Sequence, residues 1–331
     1  MLGNLWDQLC QAGGIVPFLL FAVGLVLIIR GTDWFVDSSV WIARVLDVPE
    51  LIIGATLVSL CTTLPEATVS ASSAILGHAQ MAVGNALGSI VCNTAFILGI
   101  TIVFARPPLN ESKRLFKNGA FLLFLILLLF FIGTQFYQVG RTAGFVLLLL
   151  LLLYLAGNIR DAKRYADAHP DPPVDKRRKT VVRNIGLFAV GVLFTIGGSS
   201  LLVQNGVKIA RLMGVPDIVI GVSMTAFGTS LPELVTAITA IRKKAYNISV
   251  GNIIGADILN IVLVIGTSAT ILPIPVDRML LSFHIPAVFL VVSMVLLFVL
   301  QKGNFRRWNG FLLLLLYTAY ITLTFMPGLF Q

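Results

Sequence analysis

Two short stretches of this sequence place carboxylates, hydroxyls and proline together in apolar surroundings. The first is Leu60-Cys61-Thr62-Thr63-Leu64-Pro65-Glu66, and the second is Phe227-Gly228-Thr229-Ser230-Leu231-Pro232-Glu233. An ionisable group in such a segment is expensive and marks a functional position by default. Proline has no N–H to donate and clashes with the preceding turn, so Pro65 and Pro232 are each expected to break a helix beside the glutamate. Carbonyls freed by a break become ligands where they line a cavity. With the hydroxyls of Thr62, Thr63, Thr229 and Ser230, the donor set is all oxygen and requires neither sulfur nor imidazole. Hard cations such as Na⁺ and Ca²⁺ suit it. Two carboxylates about 6 Å apart repel by roughly 3 kcal/mol at an effective dielectric near 20, so the pair favours binding one cation, several cations or a proton. Cations that compete for one set of oxygens exclude each other, which is the physical basis of exchange.

A second pair of motifs accompanies the first. Gly84-Asn85-Ala86-Leu87-Gly88-Ser89-Ile90-Val91-Cys92-Asn93 is matched by Gly251-Asn252-Ile253-Ile254-Gly255-Ala256-Asp257-Ile258-Leu259-Asn260. Glycines four apart allow close helix approach, and the amides add neutral oxygens or bond across helices. Asn93 and Asn260 each lie 27 residues beyond their glutamate.

All these matches share one offset of 167 residues, which holds without a gap from Phe21 to Gly99 against Phe188 to Gly266. About a third of the aligned positions are identical, so the chain is an internal duplication.

The elements that position these motifs must lie in a membrane. Of 331 residues 57% are hydrophobic and 12% charged, against roughly half and a quarter in soluble domains. The almost unbroken Leu/Ile/Phe runs Phe121 to Phe131 and Phe145 to Leu155 exclude a soluble protein with a large core. Ten spans are expected near 15–40, 50–77, 81–105, 115–135, 141–158, 183–208, 216–241, 247–272, 280–300 and 307–326. Met1 to Gly14 carries Asp7 and no basic residue, so the first span is expected to be a retained helix rather than a cleaved signal. The expected organisation is a first five-helix repeat over 1–158, a cytoplasmic linker over 159–182 and a second, inverted five-helix repeat over 183–331. Five spans is an odd number, so the second copy enters the bilayer upside down, and inverted repeats place matched segments face to face near the midplane. The fold class is thus an all-α membrane protein with broken helices at the midplane.

The net charge of +9 resembles nucleic-acid affinity until it is mapped. With the N-terminus outside, only Arg141, Lys208, Arg211 and Arg278 of the 24 basic residues fall outside. The excess is a positive-inside bias; it puts both termini outside and calls for a lipid bilayer and no nucleic acid. Cys10, Cys61 and Cys92 form no disulfide framework, and His78, His169 and His284 are too scattered for a zinc cluster. Asp161, Asp167, Asp171 and Asp175 lack calcium-loop spacing and read as solvated linker. Neither a nucleophile with a base nor a phosphate loop is present, so an enzyme is not expected.

The paired Thr/Ser-x-Pro-Glu motifs with their glycine-asparagine partners resemble the two alpha-repeats of the sodium/calcium exchanger family, within the cation/calcium antiporter superfamily, and its compact prokaryotic members above all. The resemblance covers nearly the whole chain. It implies a midplane site of Thr62, Thr63, Glu66, Ser89 and Asn93 from one half with Thr229, Ser230, Glu233 and Asn260 from the other. It also implies Ca²⁺ and Na⁺ as transported substrates with no cofactor, and first helices around Phe21 to Ala43 and Phe188 to Ala210 that slide against a rigid bundle. Oligomeric state is left open, with a monomer sufficient. Three positions depart from the family pattern. Cys61-Thr62-Thr63 replaces the usual Gly-Thr-Ser, Ala256 stands opposite Ser89, and Asn260 occupies a position where many members carry aspartate. Asp257 lies three residues earlier on the same helix face, so it joins the candidate ligands and bears on sodium stoichiometry. The expected activity is Na⁺/Ca²⁺ antiport at the plasma membrane, with H⁺/Ca²⁺ antiport and a cation channel as the competing readings.

Overall fold

The computed structural model describes residues 15–168, 178–213, 228–301 and 303–324. These are almost entirely helical, as apolar segments must be when no water is at hand to satisfy the backbone. In chain order the helices are α1 (Ile15–Val45), α2 (Glu50–Thr62), α3 (Leu64–Ile75), α4 (Ala79–Ala105), α5 (Ser112–Phe136), α6 (Arg141–Ala168) and α7 (Arg178–Leu212). They continue with α8 (Leu231–Arg242), α9 (Tyr246–Ile271), α10 (Leu280–Val299) and α11 (Arg307–Thr324). Among the described residues seven are long and apolar enough to cross a membrane, and α2 with α3 adds an eighth crossing if the bent pair is one span. Of the span expected over 216–241 only the second limb, α8, is described; residues 214–227 lie outside the described residues, as do Cys10, His169, Asp171 and Asp175.

The stretch expected as linker from residue 159 is helical at both edges. Helix α6 runs on to Ala168, and α7 already begins at Arg178. The polar extension of α6 is held against α5: Lys117 Nζ lies 2.5 Å from Asp161, and the Arg114 guanidinium sits 4.8 Å over the Tyr165 ring. Polarity there marks where the helix leaves apolar surroundings rather than where it ends.

Helices α9 and α4, which carry the glycine-asparagine motifs, form the centre. Their apolar windows are 94% and 72% buried, against 22% for both α1 and α7 at the outside. Small residues permit this packing. A Cβ on Gly255 of α9 would sit 2.6 Å from the Ala55 Cα of α2, so the two backbones are in contact. Across the α1–α7 crossing, a Cβ on Gly31 would lie 2.8 Å from the Gly191 carbonyl oxygen, and one on Gly191 the same distance from that of Gly31. The Thr32 and Thr195 hydroxyls meet there at 3.3 Å. Lys243, just beyond α8, clasps α1: its Nζ is 2.7 Å from Asp37 Oδ1 and donates to the Asp33 carbonyl at 2.8 Å.

Wide, π-helical turns interrupt the helices that carry the motifs, at Gly54–Val58, Cys92–Ile97 and Asn260–Ile265. Such turns leave carbonyls without their usual partners and cluster at functional positions. The first is repaired from outside: the Tyr154 hydroxyl donates to the Ala55 carbonyl at 2.9 Å. Replacing Tyr154 by Phe removes that donor and should cost about 1 kcal/mol, the usual size of an interhelical hydrogen bond in a membrane protein. The expected result is a lower melting temperature in detergent; an unaltered melting temperature would show the bond to be worth nothing.

At the helix ends, two short backbone pairings tie loops together. Gln138–Val139 (β1) pairs antiparallel with Ile274–Pro275 (β2), and Pro108 bridges Asn304. The 167-residue offset carries Pro108 onto Pro275, so these ties occupy related places in the two halves of the sequence.

Candidate cation site

The proline motifs form bends whose local chemistry is simpler than unwinding. Helix α2 ends at Thr62, Thr63 adopts φ −83° and ψ −3°, and α3 starts at Leu64 with Pro65 in its first turn. A helix's first N–H groups have no intrahelical acceptor, so a proline there forfeits nothing. The axis bends by 43° across this one residue. At the second motif the helix start is the same, with Ser230 at φ −84° and ψ 7° and Pro232 in the first turn of α8. Glu66 and Glu233 therefore each stand in the first turn of a helix, where the helix dipole favours negative charge. The expected break is present at Thr63, where the backbone stays near the α-region and opens by a single residue; the limb before Gly228 in the second motif lies outside the described residues.

Both glutamates are wholly buried, at 0% exposure, and the charge of Glu233 reaches Glu66. The Thr62 hydroxyl faces the Glu233 carboxylate from the opposite half. Among the described residues none of the four carboxylate oxygens meets a donor with hydrogen-bond geometry. The same holds for the Thr63, Ser89 and Ser230 hydroxyls, for Asn93 Oδ1, and for both amide atoms of Asn260. A buried polar atom without a partner costs about 1–3 kcal/mol. That such atoms gather on the residues singled out by the motifs points to a site shaped for a cation.

The remaining three candidates are engaged with the protein. Thr62 donates to Asn252 Oδ1 at 3.1 Å, and Thr229 donates to Asn85 Oδ1 at 3.3 Å. Because the offset carries Thr62 onto Thr229 and Asn85 onto Asn252, these are one bond made twice, each time between the halves. The halves differ behind it. Asn85 Nδ2 donates to Ser70 at 3.0 Å, whereas Ala237 replaces that serine in the second half and Asn252 Nδ2 has no partner among the described residues. Asp257, the third engaged candidate, accepts from Asn93 Nδ2 at 3.1 Å and from the Thr94 hydroxyl.

Glu66, Glu233 and Asp257 do not form a group of three able to hold one ion among the described residues. The arrangement is a carboxylate pair with neutral oxygens around it, and two such charges balance one divalent cation or two monovalent ones. Sequence reasoning passed over Thr94, Ser70 and Tyr154. Thr94 and Ser70 were detectable in principle, because the offset pairs them with the apolar Ile261 and Ala237.

The family model described as sodium/calcium exchanger protein matches twice, over residues 16–160 and 183–326. An uncharacterized membrane protein of Methanocaldococcus jannaschii is 31% identical over 297 residues, covering 90% of this chain and 94% of that one. The sodium/calcium exchanger MaX1 of Methanosarcina acetivorans is 28% identical, covering 94% of this chain and 99% of its own. A solved structure of the sodium-calcium exchanger NCX_Mj, soaked with Na⁺ and Sr²⁺, superposes with a TM-score of 0.82 at 29% identity, covering 93% of this chain and 98% of that one. Matched in both halves and along nearly its whole length, this multi-pass membrane chain belongs to the sodium/calcium exchanger family of cation transporters.

Proposed function

We propose that this protein is a secondary antiporter that exchanges Na⁺ for Ca²⁺ by alternating access and extrudes Ca²⁺ across the plasma membrane. The observation that carries this reading is the pair of wholly buried glutamates, one from each half, together with hydroxyl and amide oxygens of the same motifs that have no partners among the described residues. Ca²⁺ is held by both carboxylates together with the oxygens of Thr63, Ser89, Asn93, Ser230 and Asn260. Thr62 and Thr229 hold the two halves in register through Asn252 and Asn85. Na⁺ ions use subsets of the same oxygens, so the two substrates take turns.

The chain crosses the bilayer ten times as two inverted five-helix repeats, 1–158 and 183–331, joined by a cytoplasmic 159–182 segment with both termini outside. The reciprocal Thr–Asn bonds support the inversion, since a two-fold operation generates one from the other. Helices α1 and α7, in glycine-to-glycine contact and the least buried, are the elements that slide against the bundle.

The deciding experiment is ⁴⁵Ca²⁺ uptake into proteoliposomes loaded with Na⁺ and diluted into Na⁺-free buffer, with pH and voltage clamped. Uptake that disappears when choline replaces internal Na⁺ supports sodium coupling. Uptake indifferent to Na⁺ and driven by an imposed proton gradient would replace Na⁺ by H⁺ as the counter-ion, and flux without any counter-ion would mean a channel.

A further inference from the structure

Asp257 breaks the two-fold relation of the halves. The offset carries it onto Ile90 and carries its partner Thr94 onto Ile261, and both isoleucines are wholly buried. One half thus contributes an aspartate and the other a threonine at positions whose repeat mates are both apolar.

The consequence falls on Asn93. Asp257 Oδ1 accepts the Asn93 Nδ2 hydrogen, while Oδ2 is taken by Thr94. Turning the Asn93 amide over would set its oxygen against a carboxyl oxygen, so Asp257 selects one of the two amide orientations. In that orientation Asn93 Oδ1 is buried and free of partners among the described residues, available to a cation. Asn260, the repeat mate of Asn93, faces no such acceptor, and neither of its amide atoms is held among the described residues. We infer that Asp257 is a positioning residue: it fixes Asn93 so that the amide oxygen is a preset cation ligand, and it does not itself bind the ion. The inference rests on the reading of Glu66 and Glu233 as the cation site. It makes the site one-sided, with a fixed amide ligand from the first half and an adjustable one from the second.

The test is a double-mutant comparison in proteoliposomes, reading calcium KM and kcat separately for Asp257→Leu, Asp257→Asn, Asn93→Leu and the Asn93→Leu/Asp257→Leu pair. Loss of a group that orients a metal ligand typically weakens affinity about 10–100-fold. Asp257→Leu is expected to raise KM by that factor with kcat little changed. Asp257→Asn, whose carbonyl still accepts from Asn93, is expected to recover most of the loss. In the Asn93→Leu background, Asp257→Leu should add less than about 2-fold, since residues acting through one another are non-additive. Multiplicative effects of the two leucine substitutions would overturn the inference by making Asp257 an independent ligand. So would an Asp257→Asn variant as impaired as Asp257→Leu, because the charge would then be what matters. If Asp257→Leu does not fold, Asp257→Asn alone decides: a KM near wild type supports positioning, and a tenfold rise refutes it. Calcium-dependent thermal stabilisation of wild type, compared with Glu66→Gln, checks the underlying site separately. If both proteins respond alike, the failure lies in the site reading and not in the role given to Asp257.

Discussion

Glu66→Gln and Glu233→Gln should each abolish calcium exchange while the protein folds normally. Each glutamate is wholly buried and has no hydrogen-bond partner among the described residues, so neither carboxylate holds the fold together. A unit charge about 4 Å from another is worth roughly 4 kcal/mol at an effective dielectric near 20, and a divalent ion in contact gains more. Glutamine keeps one carbonyl oxygen, which offsets part of the loss. The net expectation is a fall in calcium affinity of roughly 100- to 1,000-fold. Stability should move the other way: with one charge removed the carboxylate repulsion vanishes, and the melting temperature without calcium should stay level or rise. Flux assays on Na⁺-loaded vesicles and melting curves with and without calcium check both halves of this expectation. Retained exchange in both variants would remove the two glutamates from the site.

Gly255→Leu should be among the most damaging substitutions outside the ligands. The new Cβ would come within 2.6 Å of both Ala55 Cα and Ser59 Oγ, and the first of these is backbone that cannot swing aside. Overpacking a well-packed interior costs about 1–3 kcal/mol, and occasionally more when backbone must move. Here the displaced element is α2, which brings Thr62 to Asn252 and leads into the bend before Glu66. The expected outcome is a loss of monodisperse protein, or a stability deficit of at least about 3 kcal/mol together with loss of calcium flux. Gly157→Ala is the matched control. Outside its own stretch of helix, no heavy atom among the described residues lies within 4 Å of its would-be Cβ, and alanine for glycine inside a helix is favourable by about 1 kcal/mol. Normal stability and flux in Gly255→Leu would mean that α2 and α9 need no backbone contact.

Composition and the internal repeat already define the environment, the duplication and the chemistry of the ligands. Composition alone demands a membrane, because long Leu/Ile/Phe runs such as Phe121 to Phe131 have no other low-cost place. The constant 167-residue offset identifies Glu66 with Glu233 and Asn93 with Asn260 as equivalent positions, whatever the fold. Proline two residues after a hydroxyl pair located the bend at Thr63 and the helix start after Ser230. What the offset cannot carry is which residue faces which. Only the tertiary structure decided that Thr62 bonds Asn252 and Asp257 bonds Asn93, contacts that span 190 and 164 residues of chain and leave no local signature. It also divided the ten candidate residues into those with protein partners and those with free oxygens, a distinction of geometry rather than of residue type. The polar run after residue 158 carries no apolar period to mark it as helix, yet α6 continues through it to Ala168, with an ion pair to Lys117. Local pattern sets what a residue can offer to an ion; packing sets whether the offer is already taken.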